Sequence, residues 1–288
     1  YDTLSPNFFI TDMTDISSLT FTDLETYIKS FGEPAFRAKQ IYAWLSRGVM
    51  TFDGMTDISK PLREKLHANC TLAALELRRR LVDPEDGTAK YLFALSDGLL
   101  IETVVMRYKH GNSVCISSQA GCRMGCRFCA STLLGKERDL TAGEMLAQVA
   151  FANAYAGVTN VVVMGVGEPL DNFDNLCVFL ENLHDPRGLN ISHRHVSVST
   201  CGIVPKIYEL AEKRLQITLS VSLHAPDDET RSQIMPINSA YNVETLMKAC
   251  DAYVAATNRR ISYEYTLIKG VNDTPAHARR LASLMKGR

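Results

Sequence analysis

The sequence predicts an α/β protein built on a parallel sheet. Three observations carry that expectation. From about Ser113 onward, five strand-like runs alternate with five helix-like runs, the pattern of successive βα units. The strand-like runs, such as "NVVVMG" and "HVSVST", are rich in apolar β-branched residues, as strands covered by helices are. Ahead of them the hydrophobic period is helical to about residue 72 and close to two from about Ala74 to Tyr108. A helical unit (1–72), a small antiparallel strand connector (73–110) and the βα core (111–288) are expected.

The elements follow in order. "TFTDLETYIKSFG" opens on threonine caps and stops at Gly32. "AFRAKQIYAWLSRG" spaces Phe36, Ile41 and Trp44–Leu45 for a helix that stops at Gly48. "SKPLREKLHANC" starts at Ser59 and sets Leu62 and Leu66 four apart. Next, "LELRRRLVD", "AKYLFALSDG" and "LLIETVVMRY" read as strands, with turns at Pro84–Gly87 and Asp97–Gly98. In the core, "SVCISSQ", "NVVVMG", "HVSVST", "QITLSVSLH" and "ISYEYTLIKG" are the strands. The helices between and after them begin with "TAGEMLAQVAFANAYAG", where Thr141 and Glu144 stand at capping-box spacing.

With 46% hydrophobic and 22% charged residues the composition is that of an ordinary globular protein. The net charge of −1 gives no bulk attraction to nucleic acid or membrane. No apolar run is long enough to span a bilayer, and the opening "YDTLSPNFFITDMTDISS" lacks a signal-peptide pattern. A cytoplasmic monomer without a membrane partner is expected.

Eight cysteines are present. In a reducing compartment a disulfide scaffold is not expected. Cys70, Cys177, Cys201 and Cys250 are scattered and read as small buried hydrophobes. Cys122, Cys126 and Cys129 are different: they sit together in "AGCRMGCRFCAST" as C-x3-C-x2-C. Iron–sulfur clusters are held by thiolates, four for a complete cubane. Three thiolates leave one iron open, as catalytic metal sites leave a place for substrate. A zinc site would need a fourth ligand; the loop holds no histidine, and the nearest is His110. Gly165 and Gly167 in "MGVGEPLDN" permit close backbone approach, and Glu168 offers a carboxylate to an ammonium group. Ser199 in "STCGIVP", and Ser222, Leu223 and His224 in "SLHAP", fall at the ends of the next two strands. Parallel sheets place their functional loops at such ends.

The cysteine spacing with Phe128 before the last thiol resembles the radical-SAM superfamily, whose fold is a partial (β/α)6 barrel; five of its strand–helix units are present here. The wider set "ETVVM", "VCISSQAGCRMGCRFCAST", "VVVMGVGEPLDNFDN", "VSVSTCGIVPKI", "VSLHAPDDETRSQIMPIN" and "EYTLIKGVNDTPAHARRLA" strongly resembles the RlmN family. "EPAFRAKQIYAWL" looks like that family's accessory helical domain. The resemblance implies a dual-specificity methyltransferase placing a methyl group on C2 of adenosine in 23S rRNA and in some tRNAs. It also implies a [4Fe–4S] cluster on Cys122, Cys126 and Cys129, and S-adenosylmethionine (SAM) bound by Gly167, Glu168, Ser199, Ser222, Leu223 and His224. An electron donor such as flavodoxin is implied as well. Glu102 matches the family's general base. Cys115 matches the resolving thiol, which forms a disulfide with a methylated cysteine near the C-terminus as product leaves.

Two alternatives stand beside this. The sister Cfr family methylates C8, but tends to have Ala where this chain has Pro169. A non-enzymatic zinc-containing RNA-binding protein comes from another class. The family's methyl-carrying cysteine segment, sixth strand and SAM-binding asparagine have no counterpart among these 288 residues. The expectation is a C-terminally truncated chain that does not methylate RNA alone.

Overall fold

The computed structural model describes residues 13–109 and 111–288. His110 and the opening stretch before Met13 lie outside the described residues. The N-terminal unit is helical: α1 (Phe21–Ser30), α2 (Phe36–Ser46) and α3 (Lys60–Asn69), with two short strands, β1 (Thr14–Asp15) and β2 (Cys70–Thr71), paired in parallel. Helix α1 starts where Thr20 Oγ1 accepts a hydrogen bond from Asp23 N at 3.2 Å. Phe21, Leu24 and Ile28 share one helical face and pack with Ile41, Leu62 and Leu66 in a core of their own.

Strands β3 (Glu76–Val82), β4 (Ala89–Ala94) and β5 (Leu100–Tyr108) are antiparallel, as the period of two predicts. They do not stand apart as a connector. Strand β5 pairs with β6 (Gly111–Ile116), Val104 opposite Cys115, so the meander extends the main sheet. Pairing there satisfies a β6 edge whose buried donors and acceptors would otherwise be orphaned.

A short hairpin follows, β7 (Gln119–Gly121) with β8 (Lys136–Asp139). Then come α4 (Ala142–Ala156), β9 (Val158–Val163), α5 (Phe173–His184), β10 (Val196–Thr200), α6 (Val204–Glu212) and β11 (Thr218–Ser222). The chain continues through α7 (Asp228–Ile234), α8 (Val243–Thr257), β12 (Ile261–Glu264) and α9 (Pro275–Met285). The main sheet has eight strands in the order β12-β11-β10-β9-β6-β5-β4-β3. Its five core strands β6 and β9–β12 are parallel.

Alternation sorts their side chains. Val114, Ile116, Val161, Val163, Val198, Leu219 and Val221 meet Met145, Leu176, Phe179, Ile207 and Leu246 of the helices in the main core. On the opposite face the register aligns Cys115, Val162, Ser197 and Thr218 in one row and Ser199, Ser220 and Ser262 in the next. Small hydroxyls thus replace bulk on that face.

Helix α4 carries the capping box read from the sequence. Thr141 Oγ1 accepts from Glu144 N at 3.1 Å, and Glu144 Oε2 accepts from Thr141 N at 2.9 Å. The Thr141 hydroxyl also donates to Asp15 Oδ2 at 3.2 Å, and Ser18 Oγ accepts from Gly143 N at 2.9 Å, tying the helical unit to the start of α4. Asn182 of α5 adds a second tie, donating to Leu19 O at 2.9 Å and accepting from the Tyr42 hydroxyl at 3.1 Å. Thr141→Ala removes the cap and the Asp15 contact together. The expected cost is about 1–2 kcal/mol, read as a lower urea midpoint with an unchanged m-value.

Candidate active site

Beyond the carboxyl ends of β9, β10 and β11 the chain lines a cavity of about 120 Å³. Its wall includes Cys122, Cys126, Cys129, Gly167, Glu168, Ser199, Cys201, Ser222 and His224. The thiols arrive on the loop that the β7–β8 hairpin closes. Cys122 N donates to Gly135 O, and Cys129 N to Cys126 O, at 2.9 and 3.0 Å. Gly121 sits at φ +77°, where an added Cβ would overlap the Gly135 carbonyl oxygen. The hairpin is held from below by Asp171, which accepts from Arg123 Nε at 3.0 Å, Lys136 Nζ at 2.9 Å and Gln119 Nε2 at 3.0 Å. The Arg123 hydrogen bond and the Lys136 contact hold the Asp171 carboxyl below the usual carboxylate range against the opposing effect of burial.

Glu168 is buried, and both its oxygens are used. Oε1 accepts from Leu170 N at 3.0 Å and Oε2 from Cys201 N at 2.7 Å. Burial still pushes its pKa up, and a cation arriving in the cavity would oppose that shift by favouring the charged carboxylate. Gly167 packs flat on the hairpin: a Cβ there would stand 2.6 Å from the Gln119 Cβ. The glycines after β9 therefore serve close packing within the chain. A Cβ on Gly165 would likewise meet the Ile116 backbone at 2.8 Å.

His224 holds a left-handed backbone at φ +55° and lies edge-on to Phe128, ring centroids 4.8 Å apart. Its Nδ1 accepts from Thr266 N at 3.0 Å, which places the proton of the neutral ring on Nε2. Burial, then the nearby Arg231 charge, lower its pKa to about 4. A free histidine titrates near 6.5, so this group's stabilisation is whole above that pH and is lost as pH falls towards about 4. The expected result is a urea midpoint that falls across that window. His224→Asn, which tolerates the left-handed backbone, should show a flatter profile.

The three thiols fit a metal–sulfur group. Burial, then the neighbouring thiols, push Cys126 up to about 12, and burial raises Cys122. Adjacent thiols that resist ionising together are the donor set that a bound cation deprotonates. Among the described residues no three His, Cys, Asp or Glu side chains converge to hold a single metal ion. In a cubane, each thiolate binds a different iron.

Residues 116–282 match the model of the radical SAM superfamily, and residues 11–72 that of the ribosomal RNA large subunit methyltransferase N-terminal domain. A probable dual-specificity RNA methyltransferase RlmN of Lachnospira eligens is 55% identical over 278 residues, 96% of this chain and 79% of that protein. Its counterpart in Lachnoclostridium phytofermentans is 52% identical over 282 residues, 97% of this chain and 79% of that protein. The chain belongs to the RlmN family. The crystal structure of a radical SAM methyltransferase from Sphaerobacter thermophilus agrees at a TM-score of 0.90 and 42% identity, covering 95% of this chain and 82% of that one. RlmN proteins are radical SAM RNA methyltransferases, and the superfamily implies an iron–sulfur cluster and SAM.

The remaining residues singled out in the sequence fall elsewhere. The Leu223 side chain is fully buried in the main core, so only its backbone reaches the strand end. Glu102 and Cys115 do not line the cavity. They lie on the face opposite the helices, Glu102 two residues along β5 from the partner of Cys115. Glu102 pairs with Lys90 Nζ at 2.6 Å. Cys115 lies between Val104 and Val162, and burial pushes its thiol up to about 11. The disulfide implied for it is not formed: all eight cysteines are free, and its cross-strand neighbours are valines. Cys201, given a bland reading in the sequence, lines the cavity and packs with Cys126. Arg231 was not singled out; nothing in "DDETRSQI" marks a buried charge.

No helix among the described residues is long and apolar enough to cross a membrane.

Proposed function

We propose that this RlmN-family chain binds a [4Fe–4S] cluster through Cys122, Cys126 and Cys129 and serves methylation of adenosine C2 in 23S rRNA and some tRNAs. One observation carries the reading: the three thiols open on the same cavity as Glu168, among the described residues the only carboxylate in its wall. When bound, the cluster supplies the electron that cleaves the SAM sulfonium. Glu168 holds the SAM ammonium group. Gly167, Ser199, Ser222, His224 and the Leu223 backbone position the rest. Glu102, kept beside Lys90, takes the C2 proton, and Cys115 is the resolving thiol. The parallel strands with their hydroxyl-lined face form part of a (β/α)6 barrel, preceded by the 1–72 and 73–110 units.

C2 of adenine is not nucleophilic, which is why a radical route is needed. The base must leave its stack to enter such a cavity. The helical unit grips folded RNA by shape and phosphate. Pro169 starts the short turn Pro169–Asn172 directly after Glu168, and its place where Cfr-like sequences tend to have Ala favours the C2 reading over the C8 one.

Anaerobic reconstitution tests the reading. Iron and sulfide should bind, dithionite should give a cluster paramagnetic resonance signal that SAM perturbs, and 5′-deoxyadenosine should form. Bound zinc with a silent spectrum would sink it. RNA methylated at C8 rather than C2 would point to the Cfr chemistry.

A further inference from the structure

Arg231 is fully buried in α7, yet no carboxylate lies within ion-pair distance of it among the described residues. Its guanidinium is held by neutral acceptors. Nε donates to Leu223 O at 3.1 Å, Nη1 to Asn238 Oδ1 at 3.1 Å, and Nη2 to Cys201 O at 2.7 Å and Ser222 O at 3.1 Å. Asn238 passes the contact on to Asp228 at 3.1 Å. A buried cation without a touching anion is costly, and arginine does not shed its proton.

The surroundings identify what the charge faces. Cys201 and Ser222, whose carbonyls hold the guanidinium, line the cavity with the three thiols. Helix α7 packs on the cysteine loop: Arg127 N donates to Ile234 O at 2.9 Å, and Cys126, Cys201, Ile234 and Met235 form one cluster. The charged or ionisable groups around Arg231 are therefore Cys126 and Cys201 on the cavity side, Asp228 behind Asn238, Cys250 of α8 and the neutral His224. Glu168 stands across Cys201, accepting from its N–H.

We infer that Arg231 is a fixed internal cation whose charge offsets that of the iron–sulfur group on Cys122, Cys126 and Cys129 and raises its reduction potential. The inference rests on the cluster assignment proposed above. Three thiolates give such a cluster a net negative charge, and uptake of one electron increases it. A buried positive charge behind the cavity wall favours the reduced state, and net charge and burial are among the factors that set cluster potentials. Arg231 is a positioning residue: it touches neither substrate nor cluster, but acts through its field and through the Cys201 and Ser222 carbonyls.

The test is a mediated redox titration with dithionite on the wild-type chain and on Arg231→Met and Arg231→Lys, after iron and sulfide have been counted in each. At a fixed potential, Arg231→Met should show about a tenfold lower ratio of reduced to oxidised cluster, a shift of about 59 mV to more negative values for a one-electron couple. Arg231→Lys keeps the charge and loses the planar fork, so its ratio should stay within about threefold of wild type. An unchanged potential in a fully loaded Arg231→Met overturns the inference. A shift in Arg231→Lys as large as that expected for Met also overturns it, because hydrogen bonds rather than charge would then be responsible. If the Met variant does not fold, Arg231→Gln, which keeps amide donors but no charge, replaces it with the same expected shift and the same overturning result. Failure of the wild type to take up iron and sulfide would instead sink the cluster assignment, a distinct outcome.

Discussion

Gly121→Ala should abolish iron uptake by the reconstituted chain, to less than about one-tenth of wild type, while Gly135→Ala retains it. The two glycines face each other across the β7–β8 hairpin and have similar backbones, φ +77° and +75°. Each substitution forces an L-residue into the left-handed region, at a cost of about 1–2 kcal/mol. They differ in what the new methyl group meets. At Gly135 nothing lies within 4 Å. At Gly121 the methyl runs into the Gly135 carbonyl, the same oxygen that accepts the Cys122 N–H at 2.9 Å. That obstacle is backbone, not a flexible side-chain tip, so the hairpin must open. The Cys122 amide then loses its partner, and the first thiol moves away from the other two. The total cost should be on the order of 3 kcal/mol or more, in the tail reserved for strained sites. Iron per chain and the thermal midpoint, measured on both variants, check this. Equal iron in the two would mean that the hairpin does not position Cys122.

Glu168→Ala has the second large effect, and it should appear in SAM binding. Loss of the carboxylate leaves Leu170 N and Cys201 N without acceptors, at about 1–3 kcal/mol each. It also removes the only carboxyl group that the described residues place in the cavity wall. Truncating one partner of a buried charge pair costs about 3 kcal/mol, so SAM affinity should fall on the order of a hundredfold. Equilibrium dialysis of cluster-loaded protein, with iron content as the control, measures it. Glu168→Gln should recover part of the stability by keeping one acceptor oxygen, yet little of the SAM affinity. Full affinity in the Gln variant would remove Glu168 from the ammonium site.

What could be read in the sequence was what is local. The Thr141–Glu144 box, the α1 cap at Thr20 and the three-thiol spacing each involve residues within one or two turns of one another. The strands β9, β10 and β11 announced themselves through β-branched runs. The hairpin β7–β8 was silent because Lys136–Asp139 is wholly charged and its pairing partner lies across the cysteine loop. Helix α7 spans only seven residues, too short for a period to emerge between β11 and α8. The merging of β3–β5 into the main sheet depends on Val104 meeting Cys115, a pairing that no window of sequence displays. Arg231 is the sharpest case. It reads as surface charge two residues after an acidic run, and its burial follows only once the ends of β10 and β11 place three carbonyls around one helix position.

The ties between the helical unit and the core have a consequence for substrate choice. Asp15 and Ser18 are fastened to the first turn of α4, and Leu19 and Tyr42 to Asn182 of α5. The two helices so gripped also brace the sheet whose strand ends carry the cavity. If the helical unit grips RNA as proposed, that RNA would be measured against a fixed span, as by a caliper with its jaws locked. Two RNAs of unrelated sequence qualify if each sets an adenosine at that span from its point of grip. A loosened jaw, as in Thr141→Ala, would blur the measurement before it slowed the chemistry.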